Sequence, residues 1–169
     1  MADLEQQPIE SEDIEKVDVE EESTNLVTFR LGSGEYAIDI MQAKEIIKME
    51  KITLIPNAPY FVEGVINLRG NILHVVDIRI RFGLERRDDH SIEDDVIIVI
   101  SNSNRRFGIL ADIVSDVITV FESQITETPI DNMRGLQISN VIRLENKIIM
   151  VLPIDDIVKS NEEINKMIQ

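Results

Sequence analysis

A chain of 169 residues that is 43% apolar but only 4% aromatic, with no tryptophan, must build its core from isoleucine, valine and leucine, and the β-branched members of that set favour strands. The absence of cysteine excludes disulfides and thiolate metal sites and points to a reducing compartment. A net charge of −15 disfavours nucleic acid and anionic lipid, and no apolar run approaches the roughly 18 residues a membrane helix needs. Residues 1–24 carry ten acids against Lys16 alone, a net −9, with no aromatic and no sustained apolar period, Ile14, Val17 and Val19 being too few to suggest more. Such a segment cannot bury enough surface to offset its ordering entropy, so a disordered acidic tail is expected, with no secretion signal at its start.

From Asn25 the pattern is one of short strands and turns. Val27, Phe29 and Leu31 alternate with Thr28 and Arg30, Gly32-Ser33-Gly34 turns, and Tyr36, Ile38 and Ile40 alternate again, which predicts a hairpin. Met41 to Ile47 reads as one or two helical turns. Ile52 to Ile55 reads as a strand stopped by Pro56. Val65–Leu68 and Ile72–Val76 form a second hairpin turning at Arg69-Gly70-Asn71, and Ile78, Ile80 and Phe82 alternate with Arg79 and Arg81 as a fifth strand would.

The second half repeats this order. Tyr36-Ala37-Ile38 meets Phe107-Gly108-Ile109 and Glu45-Ile46-Ile47 meets Asp116-Val117-Ile118, both 71 residues on; Pro56 meets Pro129, 73 on. Val65, Ile66, Leu68, Ile72, Val75 and Ile78 then meet Val141, Ile142, Leu144, Ile148, Val151 and Ile154, all 76 on. Six positions in one register across a hairpin argue for two copies of a five-strand unit. A unit so small closes best as a barrel, and two marginal barrels should pack together. The expected organisation is a tail over 1–24, a first β-barrel over 25–87, a second over 88–158, joined by the charged stretch Glu85 to Asp95, and a C-terminal helix over 159–169 opened by Ser160 and Glu163.

Reactive constellations are scarce. His74 sits in an apolar strand on the face opposite Leu73 and Val75, and His90 reads as a solvated residue of the linker. The pairs Asp94-Asp95 and Asp155-Asp156 read as solvated or helix-start acids. Gly32-Ser33-Gly34 lacks the lysine and following helix of a phosphate loop. No enzyme activity, metal or cofactor is expected, and a binding module is.

The run Phe61-Val62-Glu63-Gly64-Val65-Ile66-Asn67-Leu68-Arg69-Gly70-Asn71-Ile72-Leu73-His74-Val75-Val76-Asp77-Ile78-Arg79 resembles the CheW family, whose signature is a Gly-Val-x-Asn-Leu-Arg-Gly run followed by an apolar strand ending Val-Val-Asp-Leu-Arg. The resemblance spans about residues 25–158, through Tyr36-Ala37-Ile38-Asp39-Ile40, Glu45-Ile46, Phe107-Gly108-Ile109-Leu110-Ala111-Asp112 and Val117. The chain departs from it at His74, where the family usually has proline, at Asn140, where it has glycine, and at Leu152-Pro153, where it has Leu-Asp. The resemblance implies two SH3-like five-stranded β-barrels and a cytoplasmic adaptor at receptor arrays on the inner membrane. Its implied partners are the histidine kinase CheA, through that kinase's regulatory domain, and the cytoplasmic tips of methyl-accepting chemoreceptors. It implies that Arg69 couples receptor and kinase, with Glu45 at a matching family position and Ile40, Ala43 and Ile46 as apolar neighbours; Gly64, Asn67 and Gly70 complete the motif. Asp77, Ile78 and Ile80 are candidates for the kinase-facing surface, core packing being the other reading of the two isoleucines. The alternative function is a stand-alone relative of the CheA regulatory domain or a CheV-like fragment, and a more remote one is a small enzyme or RNA-binding barrel.

Overall fold

The computed structural model describes residues 20–85, 87–102, 104–131 and 137–157. Most of the expected tail and all of the expected C-terminal helix lie outside them. Strands β1 (Ser23–Leu31) and β2 (Gly34–Asp39) form the first hairpin, and β4 (Val62–Leu68) and β5 (Asn71–Val76) the second. Between them lies β3 (Ala43–Lys48). After β5 comes a one-turn helix α1 (Ile78–Phe82), then β6 (Val96–Asn102), β7 (Arg105–Ala111), β8 (Ile113–Phe121), β9 (Ile125–Asp131), β10 (Gln137–Leu144) and β11 (Lys147–Val151). The fold is mainly β.

Three expectations are corrected. The Met41–Ile47 segment is mostly strand, not helix: β3 pairs antiparallel with β6, and a bulge between Ala43 and Glu45 breaks the period-2 pattern that would have identified it. The Ile78–Phe82 segment is helix, not strand. Asp77 caps its start by accepting from the Arg79 N–H, and Gly83, left-handed at φ 69°, caps its end. Ile52–Ile55 contributes only a single bridge, Thr53 to Val65. In addition, β1 begins at Ser23, two residues inside the expected tail.

The strands assemble into a six-stranded sheet, β8-β1-β2-β11-β10-β9, and a five-stranded sheet, β3-β6-β7-β5-β4. The sheets therefore do not coincide with the sequential units 25–87 and 88–158. Each repeat lends its first hairpin to the other: β1–β2 lie between β8 and β11, and β6–β7 lie between β3 and β5. The repeat itself survives in the registers. Parallel pairing sets Val75 opposite Gly108 in one sheet and Val151 opposite Ala37 in the other. Antiparallel pairing sets Glu45 opposite Val99 and Asp116 opposite Thr28, with a bulge next to each. Both sets of positions are related by the same 71- and 76-residue offsets seen in the sequence.

Each sheet curls so that both of its edges feed one interior. Ile47 of β3 and Ile66 and Leu68 of β4 share a cluster with Leu73, Val75, Ile97, Val99 and Leu110. The matching residues Ile118, Ile142, Leu144, Ile149, Val151 and Leu26 make the counterpart in the other sheet. The largest cluster lies between the sheets and joins Val27, Phe29, Leu31, Tyr36 and Ile38 to Ile98, Ile100, Phe107 and Ile109. Burying each such side chain stabilises the fold by about 1.5–3 kcal/mol. Ile154 and Ile157, in the helical segment after Pro153, close this central layer.

Because of the hairpin exchange, neither half can complete a sheet. Fragments 1–87 and 88–169 are expected to be unfolded separately and to regain native circular dichroism and amide dispersion when mixed. Dispersed spectra from either fragment alone would show that each repeat closes on itself.

Candidate functional site

The candidate site begins at the tip of the β4–β5 hairpin. Leu68 pairs with Asn71, which leaves a two-residue turn, and both of its residues lie at positive φ, 51° for Arg69 and 84° for Gly70. That is the mirror-type turn whose twist suits a hairpin, and it normally takes asparagine and glycine. An arginine in the left-handed region is costly, so its side chain carries the reason for its presence. Two contacts hold it. The Asn67 Oδ1 accepts the Gly70 N–H at 2.8 Å, and the Arg69 guanidinium donates two hydrogen bonds to Glu45, Nη2 to Oε1 at 2.7 Å and Nη1 to Oε2 at 3.1 Å. The Glu45 carboxylate, first by hydrogen bonding and then by charge, holds the Arg69 pKa above its ordinary value. The Arg69 side chain is nevertheless 72% exposed.

Arg69 and Glu45 thus form an ion pair, and the topology gives it a place. β3 and β4 are the two edges of the five-stranded sheet. Glu45 stands on one and Arg69 follows the other, so the pair links the edges across the open side of the curled sheet. The bulge at Ala43 and Lys44 makes this geometry. It sets Ala43 against the central layer while Glu45 and Ile47 turn to the sheet's own interior side.

The remaining site candidates separate into two groups. Ile40 and Ile46 are exposed at 37% and 47%, and partly buried Ala43 lies between them on the inter-sheet side of the β3 edge. Gly64 is not at the surface. It is buried at φ 148°, where a Cβ would fall 2.2 Å from the Thr53 carbonyl oxygen, so only glycine lets the chain before β4 cross so closely. Asp77 and Ile78 are fully buried and Ile80 packs against the central cluster. As candidates for a partner-facing surface, Asp77 and Ile78 are corrected: they are interior.

Sequence reasoning missed what Asp77 does. Arg79, 1% exposed, lies among three buried aspartates. Its Nε donates to Asp77 Oδ1 at 2.9 Å, its Nη2 to Asp95 Oδ2 at 2.5 Å, and its Nη1 to Asp95 Oδ1 at 3.1 Å and Asp112 Oδ1 at 2.5 Å. Asp112 Oδ2 accepts the Gly32 N–H at 3.1 Å. His90 Nε2 lies 2.6 Å from Asp95 Oδ1, and its side chain is only 16% exposed. Both the solvated reading of His90 and that of Asp95 are therefore corrected. Burial opposes the charge on Arg79, but hydrogen bonds and charge from Asp95 and Asp77 outweigh it and raise the guanidinium pKa. His90, Asp95 and Asp112 bring metal-ligand atoms within 4.8 Å of one another, but the Arg79 guanidinium already bonds both aspartates and is the cation of this cluster. The available signal was an acid two residues before an arginine in an apolar run, Asp77-Ile78-Arg79, ahead of Gly83.

These two arginines should respond oppositely to truncation. Arg79→Ala leaves three buried carboxylates unpaired and is expected to cost about 3–5 kcal/mol in denaturant unfolding, with little recovery in Arg79→Lys, which lacks the planar fork. Arg69→Ala should leave the unfolding midpoint nearly unchanged. A stable Arg79→Ala protein would remove the cluster from the fold's supports.

Residues 25–162 match the family model described as the CheW-like domain. The chain is 36% identical over 140 residues to the chemotaxis protein CheW of Rhizobium meliloti (strain 1021), covering 81% of this chain and 88% of that protein. It is 32% identical over 148 residues to the chemotaxis protein CheW of Treponema pallidum (strain Nichols), covering 85% and 87%. Among solved structures it is similar to the scaffolding protein TtCheW from Thermoanaerobacter tengcongensis, with a TM-score of 0.69 and 32% identity, over 78% of this chain and 84% of that one.

Proposed function

This chain belongs to the CheW-like family of chemotaxis scaffold proteins, and on that premise we propose that it bridges the cytoplasmic tips of methyl-accepting chemoreceptors to the regulatory domain of the histidine kinase CheA. The family is one of non-enzymatic adaptors. The observation that carries the reading is the exposed Arg69, fixed in a left-handed turn and bonded to Glu45. An exposed ion pair adds little to stability, and holding an arginine at positive φ subtracts from it. A preorganised guanidinium at a hairpin tip is instead suited to a partner's carboxylates or carbonyls, since little freedom is lost when it binds.

Beside it, Ala43 and Ile46 along the free edge of β3, with Ile40 in the turn before it, offer apolar contact. A helical receptor tip laid against this edge would place apolar side chains on Ile40 and Ile46 and polar ones at Arg69. The other repeat supplies a different surface for CheA. Its matching turn is Glu145-Asn146, without positive φ, and its matching edge strand β8 exposes Val117 and Phe121. Two like-shaped units with unlike surfaces suit two partners. No described helix is long and apolar enough to cross a membrane. The proposed bridge itself puts the protein on the cytoplasmic side, at receptor arrays of the inner membrane.

Receptor cytoplasmic fragments and CheA should each bind separately and then together. Displacement of one by saturating amounts of the other would overturn the bridge. In receptor-containing membranes, Arg69→Ala is expected to lower receptor-coupled kinase activity about tenfold, the loss of one charge-assisted hydrogen bond, with partial recovery in Arg69→Lys. Glu45→Ala should show part of the same defect. Full kinase coupling by a well-folded Arg69→Ala protein would take Arg69 out of the site.

A further inference from the structure

Lys44 and Lys48 flank Ile46 along the free edge of β3, all three are exposed, and neither lysine has an ion-pair partner among the described residues. With Lys51 just beyond and Arg69 at the tip, four bases outnumber the two acids of this stretch, Glu45 and the exposed Glu50, on a chain of net charge −15. Glu45, in the same stretch, is already occupied by Arg69. The amino-terminal segment passes Ile40 in the turn before β3, and its Glu22 carbonyl and Glu21 carboxylate accept the Glu122 and Ser123 N–H groups at 3.1 and 2.7 Å. Asn25 accepts the Ile40 N–H through its carbonyl at 3.0 Å, and β2 ends at Asp39, so Ser23 and Thr24 are paired only with β8. Met41, 73% exposed, lies next along the chain from Ile40.

Residues 1–19 hold seven acids against Lys16, a net −6, and Val17 and Val19 bracket Asp18 in strand-like alternation. Nineteen residues can span up to about 60 Å, whereas the six residues of β3 cover about 20 Å, so the segment has ample reach. We propose that residues 1–19 dock on the edge formed by Lys44, Ile46 and Lys48, as an intramolecular competitor for the surface that the preceding section gives to the receptor. Acids would face the two lysines, and Val17 and Val19 would lie on Ile46 and Met41. Competition with the receptor rests on that reading; docking itself does not. Tethering makes a weak contact sufficient. A short flexible link gives an effective concentration of order millimolar, so a millimolar affinity already occupies the edge about half the time. The contact is electrostatic at an exposed surface and should weaken with salt, because the screening length falls to roughly 3 Å at 1 M.

The chain has no cysteine, so Ser11→Cys gives one attachment point for a nitroxide on the full-length protein. At low salt, amides of Lys44, Ile46 and Lys48 are expected to broaden about threefold more than those of Lys147–Val151, and the excess should vanish at high salt and in Lys44→Glu/Lys48→Glu. Uniform broadening, or an excess that survives both treatments, would overturn the docking. A receptor cytoplasmic fragment is then added. Loss of the excess as the fragment binds is the expected result. A bound fragment that leaves the excess in place overturns the competition. A fragment that fails to bind the undocked double-reversed chain and the wild type alike would count against the receptor reading while the docking stands.

Discussion

One buried guanidinium holds together parts of the chain that the sheets alone would leave to meet by packing. Arg79 belongs to α1, at the end of the first repeat's strands; Asp95 immediately precedes β6; Asp112 stands between β7 and β8 and, through the Gly32 N–H, fixes the β1–β2 turn. Those are the corners where hairpins leave one repeat for the other sheet. Each ion would cost several kcal/mol to bury alone, and apolar groups of the same size would pack there without that penalty. What apolar groups would not do is specify direction. A guanidinium bonded to three carboxylates is more directional than isoleucine against isoleucine, so the cluster would favour the observed arrangement of corners over looser alternatives.

The exchange explains why two small units behave as one. Each sheet contains strands from both repeats, and the central layer between the sheets is larger than either interior. The same registers recur at the same offsets, so the exchange is symmetric. The symmetry stops at the surface. Arg69 has Glu145 as its counterpart and Gly70 has Asn146, while Glu45 and Asp116 keep the same sign. One tip thus neutralises its neighbouring acid, and the other adds an acid to it. A scaffold needs this combination: common backbones for rigidity and dissimilar edges for discrimination between partners.

The hairpins and the exposed Arg69 turn were legible because they depend on local alternation and turn residues, read within ten positions of one another, and the repeat because those local patterns recur at offsets of 71 to 76 residues. The assignment of hairpins to sheets was not. Alternation says which face of β2 is buried, not whether Tyr36 lies beside a strand of its own repeat or beside Met150, more than a hundred residues away. β3 was hidden by its bulge, which spaces Ala43, Ile46 and Ile47 as a helix would. α1 was hidden in the opposite way: Ile78, Ile80 and Phe82 alternate because Arg79 is interior, and a buried arginine counts as polar in any pattern. His90 and Asp95 looked solvated for the same reason. Burial of a polar group depends on a partner: Asp95 receives Arg79 from another element, and His90 is held against Asp95 itself.

The Glu45–Arg69 pair then appears as a clasp as well as a contact. It joins the two edges that the five-stranded sheet leaves unpaired, and it does so at the only described turn with two consecutive positive-φ residues. The β3 edge that carries Ala43 and Ile46 is therefore tied to the tip that presents Arg69. A partner that draws the guanidinium onto its own carboxylate would release Glu45 and loosen the edge, and one that presses on Ile46 would shift Glu45 beneath Arg69. On the proposed reading, binding at one and order at the other would be coupled through a single exposed ion pair. Such a pair is weak enough to open under a partner's competing charge and directional enough, by its two parallel hydrogen bonds, to restore the same geometry when the partner leaves.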